Sequence, residues 1–71
     1  MPDHVYAVTE IVGSSTKSID DAIRNAVRTA SHTLRHLNWF EVVETRGKID
    51  GNDVGYFQVA VKIGFRHEDQ G

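Results

Sequence analysis

The sequence has no cysteine and only one proline, one methionine and one tryptophan among its 71 residues. The lack of cysteine excludes disulfides and thiolate metal ligands, and it favours a cytoplasmic location. Eight basic and 10 acidic side chains give a formal net charge of −2, which argues against a nucleic-acid-binding face. No apolar run approaches the roughly 20 residues of a membrane helix, and the first residues show no signal-peptide pattern. We therefore expect a single domain over residues 1–71, with neither nucleic acid nor membrane as a partner.

The short chain also limits the hydrophobic core. A domain of this size buries little apolar surface, so small proteins usually gain stability from disulfides, a metal or partner chains. Because disulfides are excluded, we expect self-association.

Residues 19–37 carry apolar side chains at intervals of three and four, the period of one face of an α-helix. These positions are Ile19, Ala22, Ile23, Ala26, Val27, Ala30, Leu34 and Leu37. Ser18 is a suitable N-cap, and Asp20 and Asp21 place negative charge at the positive end of the helix dipole. The pattern predicts one long helix of about 19 residues.

Three segments have the composition of β-strands: residues 4–12, 39–49 and 54–66. We expect a turn at residues 13–17, a hairpin loop at 50–53 containing the favoured Asp50-Gly51 pair, and loose termini at 1–3 and 67–71. The order strand, helix, strand, strand predicts an α+β fold. Its antiparallel sheet would have the strand order 1-3-2 and pack on the long helix.

The last strand predicts two different sheet faces, because successive side chains alternate. One face is apolar and suits the helix: Phe57, Val59, Val61, Ile63 and Phe65. The other is mixed: Tyr56, Gln58, Ala60, Arg66 and part of the second strand. This mixed face is too apolar for an ordinary solvent-exposed surface and too polar for a hydrophobic core. We therefore expect a second chain, a ligand or both to cover it.

No catalytic or metal-binding set is apparent. The stretch from Gly13 to Ser18 lacks the second glycine and the ending of a P-loop. His32 and His36 have the spacing of a helical metal pair but no third ligand, so we interpret them as solvated. Glu41 and Glu44 lie an odd number of residues apart, so a regular strand would place their side chains on opposite faces of the sheet. A catalytic carboxylate pair is therefore not expected, and we interpret both residues as salt-bridge partners or solvated groups. We predict that the protein is not an enzyme and holds no metal.

Four side chains suit ligand binding. Trp39 offers a flat face for stacking, and Gln58 carries a donor and an acceptor on one amide. Arg46 and Arg66 are planar cations that pair with phosphate. Simpler interpretations stay open, namely a core or interface tryptophan, an amide that bridges strands, and arginines in rim salt bridges.

Several segments together resemble the bacterial dodecins. They are VTEIVGSS at residues 8–15, LNWFEV at 37–42, Arg46-Gly47, FQV at 57–59 and KIGFR at 62–66. The resemblance covers nearly the whole chain. One departure is Lys48, which stands where the family more often has histidine.

The resemblance implies a hollow homododecamer of β-α-β-β subunits that binds FMN, with riboflavin as the alternative, in stacked pairs between tryptophans at subunit interfaces. It implies that Trp39 stacks on the flavin, Gln58 hydrogen-bonds the polar edge of the isoalloxazine, Arg46 lines the pocket and Arg66 meets a phosphate. The implied role is flavin storage and sequestration with quenching of flavin photochemistry. Coenzyme A is implied as a second ligand of some members. The alternative is a structural or interaction oligomer without flavin, in which Trp39 is buried at a subunit contact.

The implied site requires an irregular second strand. Trp39 and Arg46 lie seven residues apart, so a regular strand would place them on opposite faces. We therefore predict a β-bulge between them, near residues 41–44.

Overall fold

The computed structural model describes residues 3–67. In chain order the elements are strand β1 (Tyr6–Ser15), helix α1 (Ile19–Ala30), strand β2 (Leu37–Asp50) and strand β3 (Asp53–Arg66). This order confirms the predicted β-α-β-β fold. Of the termini predicted to be loose, residues 1–2 and 68–71 lie outside the described residues. His67 follows β3, and its backbone N–H donates to the carbonyl of Val5 over 2.7 Å.

The three strands form one antiparallel sheet in the order β1-β3-β2, as predicted. Val61 lies at its centre, opposite Ile11 of β1 on one side and Val42 of β2 on the other. The most apolar strand is therefore central, where both of its edges are hydrogen-bonded. The sheet has its two edges at β1 and β2.

Strand β1 runs three residues further than its composition predicted, and the segment expected to be a turn from residue 13 is strand as far as Ser15. Gly13 explains the extension, because it lies directly beneath the helix. A Cβ at this position would collide with the carbonyl of Ala22 and lie 2.9 Å from the Cβ of Ala26. Glycine therefore lets strand and helix approach closely while the strand continues.

The start of α1 follows its predicted cap. The Ser18 Oγ accepts from the Asp21 backbone N–H over 3.0 Å. The half-buried carboxylate of Asp21 in turn accepts from the Ser15 hydroxyl over 2.7 Å. That bond, and the positive charges of Lys17 and Arg28, hold the pKa of Asp21 below its usual value against the opposing effect of burial.

The helix is shorter than predicted: it has 12 residues and ends at Ala30. The chain then forms a turn in which the hydrogen bonds span three residues instead of the four of an α-helix. The His32 N–H donates to the Thr29 carbonyl, and the Thr33 N–H donates to the Ala30 carbonyl. Hydroxyl side chains in this region compete with backbone N–H groups for the backbone carbonyls. The Ser31 hydroxyl donates to the Arg28 carbonyl over 2.6 Å. His32 and His36 consequently do not share a helix face; His32 lies in the turn, and His36 has a positive φ of 62°.

The core joins one stripe of the helix to the centre of β3. Its members are Ala22, Ala26 and Ala30 of α1, with Val59, Val61 and Ile63 of β3. Leu34 and Leu37 pack against this cluster from the segment after the helix. Fully burying each of the large β3 side chains stabilises the fold by about 1.5–3 kcal/mol. The predicted match between this face of β3 and the helix is confirmed.

The helix covers less of the sheet than expected. It packs mainly on β1 and β3. The helix side of β2 is left open, so that Phe40 is 51% exposed and Val42 is exposed beside it. The sheet thus has one fully open face and a second face that is open along β2.

Strands β2 and β3 continue beyond the rest of the molecule as a two-stranded ribbon. Pairing with β1 ends at Phe57, whereas β2 pairs with β3 as far as Asp50 and Asp53. The ribbon closes at the predicted hairpin turn, where Gly51 has a φ of 64°. It contributes to a longest molecular dimension of 55 Å.

Candidate functional site

Strand β2 contains the predicted bulge. Val42 lies opposite Val61, and Glu44 lies opposite Ala60, so Val43 is an extra residue with no partner of its own. The bulge falls within the segment that the sequence indicated. Between Trp39 and Val42 the odd-numbered residues point away from the helix; from Glu44 to Lys48 the even-numbered residues do.

The bulge places Trp39 and Arg46 on the same face of the sheet. Trp39 lies opposite Gly64 of β3, and Arg46 lies opposite Gln58. Gly64 and Gln58 are an even number of residues apart, and both point away from the core residues of β3. We call this the open face. Arg66 belongs to it as well, opposite Tyr6 of β1.

Trp39 lies across the central strand. A Cβ built on Gly64 would fall among the Cε2, Cζ2 and Cδ2 atoms of the indole, so the ring rests directly on the backbone of β3. The side chain is nevertheless 41% exposed. One side of the indole is therefore held by the sheet, and the other is available to a planar partner.

Arg46 and Gln58 are joined by a hydrogen bond between neighbouring strands. The Arg46 Nε donates to the Gln58 Oε1 over 3.0 Å. The Arg46 Nη1 also contacts the Glu44 Oε1 at 3.2 Å, with side chains that are 47% and 61% exposed. An ion pair this exposed contributes about 0–1 kcal/mol to the stability of the fold. Its main effect is to orient the Arg46 side chain.

The four residues form two separate pairs. Gln58 and Gly64 are six positions apart on β3, which corresponds to about 20 Å along an extended strand. Arg46 and Gln58 therefore meet at one end of the open face. Trp39 and Arg66 lie towards the other end, where the Arg66 backbone N–H donates to the His36 carbonyl over 3.0 Å. A single three-ring ligand on one chain cannot stack on Trp39 and also reach Gln58.

The surface between the two pairs is partly apolar. Val8 and Val12 of β1 are exposed there, and Ala60 lies between β1 and β2. The register also places Lys62 between Glu10 and Glu41, which gives the centre of the open face a row of alternating charge. The exposed apolar side chains favour a surface that another chain covers, and the charge row is a feature that can fix the orientation of that chain.

Two residues of this face were missed by sequence reasoning. Gly64 was named only within the KIGFR segment of the family resemblance, although glycine inside a strand often marks a close approach of another group. Glu44 was interpreted as a solvated group or a salt-bridge partner, without its partner being named. The separation of the site into two pairs required the strand register.

Across residues 3–67, no three histidine, aspartate or glutamate side chains come together as metal ligands would. Within the same range, no helix has the length and apolar character needed to cross a bilayer.

The fold and the open face together define a class: a small β-α-β-β protein whose single helix leaves an aromatic, amide and guanidinium surface on the sheet uncovered. The Dodecin family model matches residues 5–68, and the chain belongs to the dodecin family.

Close relatives support this assignment over nearly the full length. The dodecin of Thermus thermophilus is 46% identical over 65 residues, which are 92% of this chain and 94% of that protein. The structure of dodecin from Streptomyces coelicolor is similar with a TM-score of 0.93 and 51% identity, covering 99% of this chain and 100% of that one. The dodecin from Streptomyces davaonensis gives a TM-score of 0.92 and 47% identity, with 96% and 100% covered. None of these names denotes an enzyme.

Proposed function

We propose that this protein stores and sequesters FMN, which it binds at interfaces between copies of the chain. The observation that carries the proposal is the placement of Trp39, whose indole is supported from below by Gly64 and open above. A bulge in β2 then brings Arg46 to the face that carries Trp39, where it lies opposite Gln58 of β3. Membership of the dodecin family supports the choice of a flavin as the planar ligand.

Each of the four side chains has a chemical part in this proposal. Trp39 stacks on the isoalloxazine, which contributes about 0.5–1.5 kcal/mol beyond the burial of area. Gln58 hydrogen-bonds the polar edge of the ring system. Arg46 lines the pocket beside Gln58. Arg66 is the cation available to a phosphate, because Arg46 is already engaged by Glu44.

The separation of the two pairs implies that one binding site is shared between subunits. A two-fold axis that lies parallel to the open face and runs across the strands at the level of Val61 would bring Trp39 of one copy towards Arg46 and Gln58 of the next. Such a contact is isologous, so it creates two equivalent sites at once. This arrangement agrees with flavins bound as pairs between tryptophans.

A closed assembly, the homododecamer of the family resemblance, follows from the same surfaces. The open face offers Val8 and Val12, and the helix side of β2 offers Phe40 and Val42. Two exposed apolar surfaces on opposite sides of a 71-residue chain favour two kinds of subunit contact. Two different contacts are what a closed shell of many copies requires.

The proposed role is non-catalytic and cytoplasmic. The described residues offer a stacking surface and hydrogen-bond donors, which suit retention of the ligand. Trp39 in contact with the flavin would quench its excited state by electron transfer, so storage would also limit photochemistry. Riboflavin as an alternative ligand and coenzyme A as a second one stay predictions from the family resemblance.

The test is a titration of FMN and of riboflavin with purified protein, followed by flavin fluorescence. We expect quenching by the wild type, its loss in Trp39→Ala and partial retention in Trp39→Phe. Phe40→Leu is the matched control, because Phe40 is the neighbouring aromatic residue but lies on the helix side, opposite Ile63. Gel filtration of each variant separates loss of ligand from loss of assembly.

Two outcomes would reject the proposal. One is a wild-type protein that leaves flavin fluorescence unchanged. The other is a Trp39→Ala variant that binds FMN as tightly as the wild type. An assembled protein without flavin binding would instead support the structural oligomer.

A further inference from the structure

We propose that Glu44 is a positioning residue that acts through Arg46 to fix the orientation of the Gln58 amide; this role rests on the proposed flavin function. Glu44, Arg46 and Gln58 form a continuous line of contacts across two strands. The Arg46 guanidinium lies in the middle, with its Nη1 on the Glu44 carboxylate and its Nε on the Gln58 amide.

The chemistry of arginine decides which end of the amide it faces. A guanidinium carries only donors, so the Gln58 atom at 3.0 Å from the Arg46 Nε must be the carbonyl oxygen. The amide nitrogen of Gln58 is then turned away from Arg46. A ligand beside Gln58 meets an N–H donor, which matches a carbonyl oxygen on the polar edge of a flavin.

Glu44 determines how firmly this orientation is held. An arginine side chain on an exposed strand has many rotamers, and ordering them costs free energy. The carboxylate of Glu44 binds one arm of the guanidinium and leaves the Nε arm directed at Gln58. Glu44 reaches this face because the bulge at Val43 shifts the alternation of β2. Pre-ordering of this kind strengthens binding by reducing the cost of fixing the site.

Simple electrostatics predicts the opposite effect of Glu44 on FMN. A carboxylate near the ligand repels a phosphate, so its removal would tighten binding of FMN and leave uncharged riboflavin unaffected. Positioning predicts that its removal weakens the binding of both ligands, because both have the same ring system. The sign of the change therefore separates the two roles.

The experiment measures riboflavin and FMN affinities for Glu44→Ala and for the control Asp50→Asn. Asp50 is a carboxylate on the same strand, opposite Asp53 at the hairpin end of the ribbon, and it has no part in the Arg46–Gln58 contact. We expect Glu44→Ala to weaken both ligands about fivefold, the effect of losing one ordinary hydrogen bond. We expect Asp50→Asn to change neither affinity. Glu44→Gln keeps the shape of the side chain and serves as a second variant.

A double-mutant cycle tests whether Glu44 acts through Arg46. Lysine lacks the fork that joins the two partners, so Arg46→Lys should abolish any further effect of Glu44→Ala. Equal losses in both backgrounds would overturn the proposal, as would unchanged riboflavin affinity in Glu44→Ala. A wild type that binds neither flavin would instead reject the proposed function itself.

Discussion

Replacing Gly64 with alanine should dislodge Trp39 from the sheet. The new methyl group would occupy the space of the indole Cε2, Cζ2 and Cδ2 atoms. The strand backbone around Gly64 is paired on both sides, with Val8 and with Trp39, so it cannot retreat. The indole must therefore move out into solvent or tilt away from its supported position.

Two effects of opposite sign set the change in stability. Alanine is more favourable than glycine inside a strand by about 0.5–1 kcal/mol, because less backbone entropy is lost on folding. Forcing a side chain out of a filled position costs about 1–3 kcal/mol. We expect a net destabilisation of about 1 kcal/mol, together with about tenfold weaker FMN binding as the stacking surface is lost.

Urea unfolding and FMN fluorescence titration, each measured in two backgrounds, isolate the cause. In the Trp39→Ala background the indole is absent, so Gly64→Ala should be neutral or slightly stabilising. In the wild-type background it should be destabilising. This reversal of sign is specific to a clash between these two residues.

The reasoning would be refuted if Gly64→Ala cost the same free energy in both backgrounds. It would also be refuted if Gly64→Ala bound FMN as tightly as the wild type. Either result would mean that the indole does not rest on the backbone of β3.

Three further predictions follow from the strands and the helix cap. Deleting the unpaired Val43 should leave the tryptophan and arginine on the open face and retain FMN binding, because a spacing of six residues suits a regular strand. Deleting Val42 and Val43 together should move the tryptophan away from Gly64 and abolish FMN binding, and equal binding by the two variants in fluorescence titration would contradict the bulge. Asp21→Asn should lower stability at neutral pH, and the difference from wild type should shrink as the pH falls through the lowered pKa of Asp21, because the ionised carboxylate stabilises the fold only above it. Asp20→Asn is the control in urea unfolding across pH, and equal pH profiles for both variants would refute the cap network. Gly13→Ala should destabilise the protein by about 1–3 kcal/mol, since its methyl group has no room beneath the helix; an unchanged urea midpoint would show that the helix can move.

Much of the fold could be predicted because the sequence patterns are local and regular. Alternation along β3 identified the face that the helix covers, and the helical period with its Ser18 cap identified where α1 begins. The central position of β3 followed from the connections. The bulge was predictable for a different reason: once Trp39 and Arg46 were assigned to one face by the family resemblance, their odd spacing required it.

The end of the helix could not be predicted from periodicity. Leu34 and Leu37 continue the apolar pattern and do contact the core, but Leu34 does so from the connection after the turn and Leu37 as the first residue of β2. A periodic pattern of apolar residues indicates which side chains are buried, but it does not show whether the backbone at those positions is helical. The sequence feature that opposed a longer helix was Ser31, whose hydroxyl donates a hydrogen bond to the Arg28 carbonyl.

The division of the site into two pairs was also beyond the sequence. Trp39, Arg46, Gln58 and Arg66 can be assigned to one face without knowing which partners stand opposite them. Only the register shows that Gln58 and Gly64 mark two places about 20 Å apart. The proposal that two subunits share one site depends on that distance.

The bulge at Val43 has a consequence for how the chain folds. If β2 and β3 zip together from the turn at Gly51, the growing ribbon must skip one residue when it reaches Val43. A ribbon that fails to skip would bring Glu41 opposite Ile63, on the side of the sheet that faces the helix. There it would take the place of Phe40 in the apolar strip that we propose as a subunit contact, where a carboxylate is poorly tolerated once the contact forms, so the misregistered chain would be disfavoured. Glu41 thus favours the native register of β2 and β3, because it destabilises the alternative pairing that lacks the bulge.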